Sequence, residues 1–246
     1  MPSAHVARQA RKQRLAGIDK PPVSGSLTND CPPGELPPAA PAHRWPFPHE
    51  VKHMDRAKIE HGFREVLEGL GVDLRHPNLK DTPRRTAEAW VNELCVGLTE
   101  PEPDMDLIPL EEGHVPGLVA LDQIPVKSIC AHHLLPFTGQ AIVAYVPRDT
   151  ICGLSKLSRV VAHFARRPQL QEQLTQQIAQ YVQRVLNPQG VGVLIRASHA
   201  CMEFRGVNHP GSMTTTMVLG CLESSPQFRA EFLALAHPHA VKPAGA

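Results

Sequence analysis

Near residue 117 the apolar pattern of this chain changes its period, and the order of the segments beyond that point restricts the fold more than anything else. Leu118 to Cys130 and Thr138 to Val146 are rich in β-branched residues, as expected for strands joined by a short connection. Two segments of helical period come next. Leu157, Val160, Val161 and Phe164 mark the first; Leu170, Leu174, Ile178, Val182 and Val185 mark the second, which Pro168 is expected to open. Val191 to Arg205 then alternates as a strand, Thr214 to Leu222 reads as its partner, and Pro226 opens a closing helix. Strand, strand, helix, helix, strand, strand predicts the α+β class.

Upstream, a helix is expected from about Asp55, with Ile59, Phe63, Val66, Leu67 and Leu70 on one face and Gly71 at the exit. Asp81-Thr82-Pro83 predicts a second helix start, because Pro83 falls where no amide donor is needed. Its stripe is Ala87, Trp90, Val91 and Leu94, ending at Gly97, before a loop rich in Pro and Glu through Pro103 and Pro109. The first 50 residues differ: Arg8, Arg11, Lys12, Arg14 and Lys20 are followed by nine prolines between Pro21 and Pro48. Such composition buries too little to offset its ordering entropy, so a solvated arm is expected, with a targeting or docking segment as the other reading. The expected divisions are a tail over 1–50, a helical region over 51–115, the main domain over 116–237 and a frayed end over 238–246.

Six cysteines, at 31, 95, 130, 152, 201 and 221, have no framework spacing. With no apolar signal core at the start, they read as thiols or metal ligands in a cytoplasmic protein. A formal charge of +1 gives no case for bulk attraction to nucleic acid or membrane, and no run of about 18 apolar residues is present to span a bilayer.

Two clusters carry chemistry. Cys130-Ala131-His132-His133 holds a Cys-x-x-His pair that can offer a thiolate and an imidazole to one ion at a turn. His199-Ala200-Cys201 falls in the alternating segment, where residues two apart share a face, so Glu203 and Arg205 are expected on that face if no bulge intervenes. Zinc on Cys130, His133 and Cys201 would keep one tetrahedral position open, as a catalytic site requires, with His132 and His199 free for proton transfer. The alternatives are a structural zinc closed by a fourth ligand, or two unrelated histidine-rich turns. A third stretch, Gly153-Leu154-Ser155-Lys156-Leu157-Ser158-Arg159, places helix-start amides and two cations where an anion would bind, or else is a capped helix with Ser155 as its cap and a solvated basic face.

Together with Arg166-Arg167-Pro168-Gln169-Leu170-Gln171-Glu172-Gln173-Leu174-Thr175 and His199-Ala200-Cys201-Met202-Glu203-Phe204-Arg205-Gly206, these stretches resemble the GTP cyclohydrolase I family from about residue 55 to 235. The resemblance implies the tunnelling fold, with subunit sheets joined into a five-membered ring and two rings stacked as a homodecamer. It implies zinc on Cys130, His133 and Cys201, and proton transfer by His132 and His199. Gln171 and Glu172 would hold the guanine, helped by Leu154. Ser155, Lys156, Arg159 and Arg205 would hold the ribose-triphosphate, with Arg85 from a neighbouring subunit, and Ser155 would also serve the sugar steps. The implied reaction takes GTP: zinc-activated water attacks C8, the ring opens, formate leaves, and an Amadori rearrangement leads to 7,8-dihydroneopterin triphosphate, for pterin and tetrahydrofolate biosynthesis in one-carbon metabolism, by an allosteric enzyme. Three positions depart from the family pattern: Ala131 replaces a glutamate, Glu88 stands where many members carry lysine, and Cys152 is an added thiol. Rival readings are the same ring opening on a specialised pterin or deazapurine path, and a silent zinc-binding ring, favoured by Ala131 but opposed by His132, His199 and Glu172.

Overall fold

The computed structural model describes residues 51, 53–111 and 117–235. The expected tail over 1–50 and frayed end over 238–246 lie outside them. Helix α1 (Arg56–Gly69) starts where Asp55 caps it, its Oδ1 accepting from the Lys58 amide at 2.9 Å. The chain leaves this helix through Gly71 at φ 76, a conformation that costs glycine nothing. Val66 and Leu70 on its apolar stripe are 58% and 73% exposed. Helix α2 (Thr82–Ala89) has Pro83 in its first turn and widens through Trp90–Leu94, where the Cys95 amide reaches back five residues to the Trp90 carbonyl.

Five strands form the main sheet in the order β5-β2-β3-β6-β7. These are β2 (Val119–Cys130), β3 (Pro136–Val146), β5 (Pro168–Gln169), β6 (Gly190–His199) and β7 (Ser212–Gly220). The neighbours β2-β3, β3-β6 and β6-β7 are antiparallel, while β5 lies parallel to the last two residues of β2. The two long helices, α3 (Leu154–Ala165) and α4 (Gln171–Leu186), both cover one face, α3 over β2 and α4 over β6 and β7. Leu157, Val160, Val161, Leu174, Ile178 and Val182, each at most 1% exposed, meet Val126, Val143, Val193 and Ile195 of the sheet there. The short α6 (Cys221–Ser224) and α7 (Pro226–Leu235) close part of the opposite face, where Leu222, Phe228 and Phe232 pack on Ile142, Ala144 and Leu194. Gly139 lets β3 and β6 approach: a Cβ there would lie 2.0 Å from the Arg196 carbonyl oxygen.

The α+β class and the order of the long elements are as expected. Four details differ. Pro168 does not open α4; it pairs with Ile129 in β5, and the helix starts at Gln171. Two three-residue strands, β1 (Leu107–Pro109) and β4 (Thr150–Cys152), pair with each other; β1 lies in the stretch read as a loop, and both are too short to show a period. The cap of α3 is Gly153, so Ser155 stands inside the first turn. Strand β6 ends at His199, and Ala200–Glu203 forms a helical turn, α5, instead of continuing the strand to Arg205. No helix among the described residues is long and apolar enough to cross a membrane.

Candidate active site

The end of β2, the turn into β3 and the turn after β6 converge at one place. The β2–β3 turn is closed twice: the Leu134 amide donates to the Cys130 carbonyl and the Cys130 amide to that of Leu135, each at 2.8 Å. Leu134 sits at φ 56, an unfavourable conformation for a leucine, accepted where the turn must present its side chains. Ala131, the position that lacks the family's glutamate, donates its amide to Gln169 of β5 at 3.1 Å. Its role in the turn is thus carried by backbone.

This turn brings His133 to the two cysteines. One ligand atom from each of Cys130, His133 and Cys201 falls within 4.8 Å of the others, and the two sulfurs are 3.9 Å apart. Cys201 arrives by a different route from strand alternation. The helical turn α5, not a shared sheet face, swings its sulfur toward Cys130, so the expected common face with Glu203 and Arg205 does not form. Burial first, then the hydrogen bond and charge of Cys130, push the Cys201 thiol up. Two crowded sulfurs resist ionising together, and a cation that binds both must displace protons. Two thiolates and an imidazole suit zinc among divalent ions, and three ligands make the open type of site. Arg205 Nη1 donates to His133 Nε2 at 2.7 Å; because a guanidinium only donates, that nitrogen presents a lone pair.

His132 and His199 flank the cluster in contrasting settings. His132 is exposed, its ring edge-on to that of His133 at 6.2 Å. His199 is buried, stacked on Phe137 with centroids 4.6 Å apart and planes 9° from parallel, and its Nε2 lies 2.8 Å from Gln171 Oε1. Burial pushes its pKa down, partly offset by the charges of Glu172 and Glu203. Burial thus favours the uncharged ring, the form that can take up a proton.

Glu172 is exposed in the first turn of α4, whereas Gln171 is 1% exposed and turned inward. The structure thus separates these two, which the sequence reading sets together on guanine. Leu154, Ser155 and Arg159 are exposed at the start of α3, with Leu154 at 69%. Lys156 is paired with Asp106 of the loop before β1, whose carboxyl that lysine, and more weakly Arg159, holds below the usual range. Arg85 stands apart from these on α2, 3.8 Å from Asp81. Glu88 bridges the two upstream helices, meeting Arg56 at 2.5 Å and Arg84 at 2.9 Å. A lysine there could not make that bridge. Cys152 is buried against the Tyr145 hydroxyl, 3.8 Å from its sulfur, and burial pushes its thiol up. It is a packed thiol and not a metal ligand in this arrangement.

Phe137 and Asp106 were not singled out from sequence. Phe137 is the register partner of His199 across β3 and β6, so pairing the strands on paper could have found it; nothing local marks Asp106.

The model of the GTP cyclohydrolase I family matches residues 59–237. The chain belongs to the GTP cyclohydrolase I family. It is 48% identical over 185 residues to GTP cyclohydrolase 1 of Carboxydothermus hydrogenoformans, covering 74% of this chain and 95% of that protein. Its identity to GTP cyclohydrolase 1 of Pelotomaculum thermopropionicum is 49% over 184 residues, with coverage of 74% and 96%. For the same enzyme of a Sulfurihydrogenibium species the identity is 43% over 188 residues, with 76% and 97% covered. A solved apo archaeosine synthase QueF-like chain superposes at TM-score 0.37 with 19% identity, over 44% of this chain and 97% of that one, too loosely to carry an argument. Membership makes the chain a GTP cyclohydrolase, so the clustered cysteines and histidines belong to an enzyme of the family.

Proposed function

We propose that this enzyme is zinc-dependent and converts GTP to formate and 7,8-dihydroneopterin triphosphate at the cluster of Cys130, His133 and Cys201. The observation that carries this reading is the meeting of three metal-type ligand atoms within 4.8 Å, beside a buried His199, in a chain of this family. Zinc on those three ligands would acidify a water for attack at C8 of the purine. His199, held by Gln171 and Phe137, would take up and return protons at the opening ring. His132 would do so from the solvent side. Ser155, Lys156, Arg159 and Arg205 would hold the sugar and triphosphate, with Arg85 from a neighbouring subunit, and Leu154 would pack on the guanine. Lys156 must then exchange Asp106 for phosphate. The direct test of this reading is formate and pterin production from GTP by zinc-loaded protein, set against the chelated enzyme.

Glu172 is proposed to read the base. Guanine offers N1–H and an exocyclic amine side by side, two donors that suit one carboxylate, and adenine has no such pair. The exposure of Glu172 at the helix start leaves it open to a ligand, though a plain helix-dipole charge would sit there too. Glu172→Gln is expected to weaken GTP binding by roughly tenfold to a hundredfold, the worth of one charge-assisted hydrogen bond, while zinc stays. Titration of GTP against ATP reads this out; unchanged GTP affinity in Glu172→Ala would return Glu172 to a helix charge.

The tunnelling-fold ring is proposed on the edges of the sheet. Strand β7 ends it on one side, and on the other β5 covers only Ile129 and Cys130 of the long β2. Open edges of this kind invite head-to-tail pairing, and a closed ring satisfies both. Light scattering is expected to give a species near ten subunits, two five-membered rings. A fully active monomer would contradict the ring and the shared site together.

A further inference from the structure

The hydrogen bonds around Gln171 can be assigned one proton at a time. The Thr175 hydroxyl lies 2.8 Å from the Gln171 carbonyl oxygen, and a carbonyl only accepts, so Thr175 donates to it. Having one proton, Thr175 must accept in its 2.7 Å contact with the Thr215 hydroxyl. Thr215 has then spent its own proton and accepts from Gln171 Nε2 at 3.1 Å. The same amide nitrogen faces two further acceptors, the carbonyls of Ile195 at 3.0 Å and Met213 at 3.1 Å. Its two protons are shared among these three acceptors, which mark this end of the amide as the nitrogen and turn Oε1 toward His199 Nε2, 2.8 Å away. An amide oxygen cannot donate, so Nε2 of His199 carries the proton and Nδ1 is the bare nitrogen of the neutral ring.

We propose that Thr175 and Thr215 are positioning residues: through Gln171 they hold His199 in the Nε2–H tautomer, with Nδ1 as the nitrogen that meets the reacting groups. The chain of bonds joins α4 (Thr175, Gln171), β7 (Thr215) and β6 (His199), and Phe137 fixes the plane of the imidazole from β3. Gln171 and Thr175 are 1% and 2% exposed. An apolar residue would fill either place without the risk of an unmet polar group, and here the side chains of Gln171, Thr175 and Thr215 all have partners. The inference rests on the proposed role of His199, and it moves Gln171 from guanine contact to support of a proton carrier.

The test compares Thr215→Val, which keeps shape and loses the hydroxyl, with Thr215→Ser, which keeps the hydroxyl. Thr215→Val is expected to lower kcat about fivefold to tenfold, the worth of one neutral hydrogen bond, with KM for GTP and zinc content within about twofold of wild type. Thr215→Ser should restore kcat. Thr175→Val and Thr175→Ser read the same link should the first valine variant fold poorly, and Gln171→Leu should cost on the order of 10²-fold in kcat. Unchanged kcat in both valine variants, or a loss that falls on KM or on zinc, would overturn the relay. His199→Ala separates the two claims: full turnover there sinks the role of His199, whereas lost turnover with unaffected valine and leucine variants sinks the relay alone.

Discussion

Replacing Cys201 with serine is expected to strip the metal and reduce ring opening to background. Wild-type protein should carry about one zinc per chain. Among the described residues the three-ligand site has no spare ligand: Cys130, His133 and Cys201 supply one atom each. A serine hydroxyl is a far poorer partner for zinc than a thiolate, and two remaining ligands hold a divalent ion weakly. The Cys201 thiol is pushed up by its burial and by Cys130, so zinc must expel its proton on binding. Zinc uptake should therefore release acid and weaken as pH falls. Metal analysis of Cys130→Ser and Cys201→Ser after dialysis decides this; full zinc in both variants would place the ion elsewhere.

The second large effect separates the two free histidines. His132→Ala and His199→Ala should both keep zinc and lose about 10²–10⁴-fold in turnover, the usual worth of a positioned acid or base. Their stabilities should part company. His132 is exposed, and its removal should leave the fold unchanged. His199 fills space against Phe137 and satisfies Gln171 Oε1, so alanine leaves a gap and a buried acceptor without its donor. That orphaned acceptor alone costs about 1–3 kcal/mol. Thermal unfolding of zinc-loaded samples should show the drop in His199→Ala and none in His132→Ala. Zinc lost along with activity in His132→Ala would mean that His132 and His133 have exchanged roles.

Most of the long elements were legible because each had a local cause. Asp55 and Gly71 bracket α1, β-branched content marks β2 and β3, alternation marks β6 with β7 as its partner, and helical spacing picks out the buried stripe of α3 and α4. The three ligand residues were also legible as two clusters, and the structure does bring them together. How they meet was not. Alternation of Cys201, Glu203 and Arg205 is compatible with a strand, but β6 stops at His199, and a helical turn carries Cys201 across to Cys130. Four residues are too few to show a helical period against the strand before them. Pro168 misled for a related reason: a proline near a helix start fits either its first turn or the end of an edge strand, and pairing with β2 decides for the strand. The inward turn of Gln171 depends on Thr215, 44 residues away, and no local pattern reports such a contact.

Product analysis bears most directly on zinc-dependent ring opening of GTP. Pure protein, stripped with a chelator and reloaded with zinc, is incubated with GTP, and formate and the fluorescence of oxidised pterin are followed together. One formate per GTP is expected, with an equal amount of dihydroneopterin triphosphate, and neither product should come from the stripped enzyme until zinc is restored. Equal turnover in stripped and reloaded protein, or GTP left intact by the fully loaded enzyme, would contradict this chemistry.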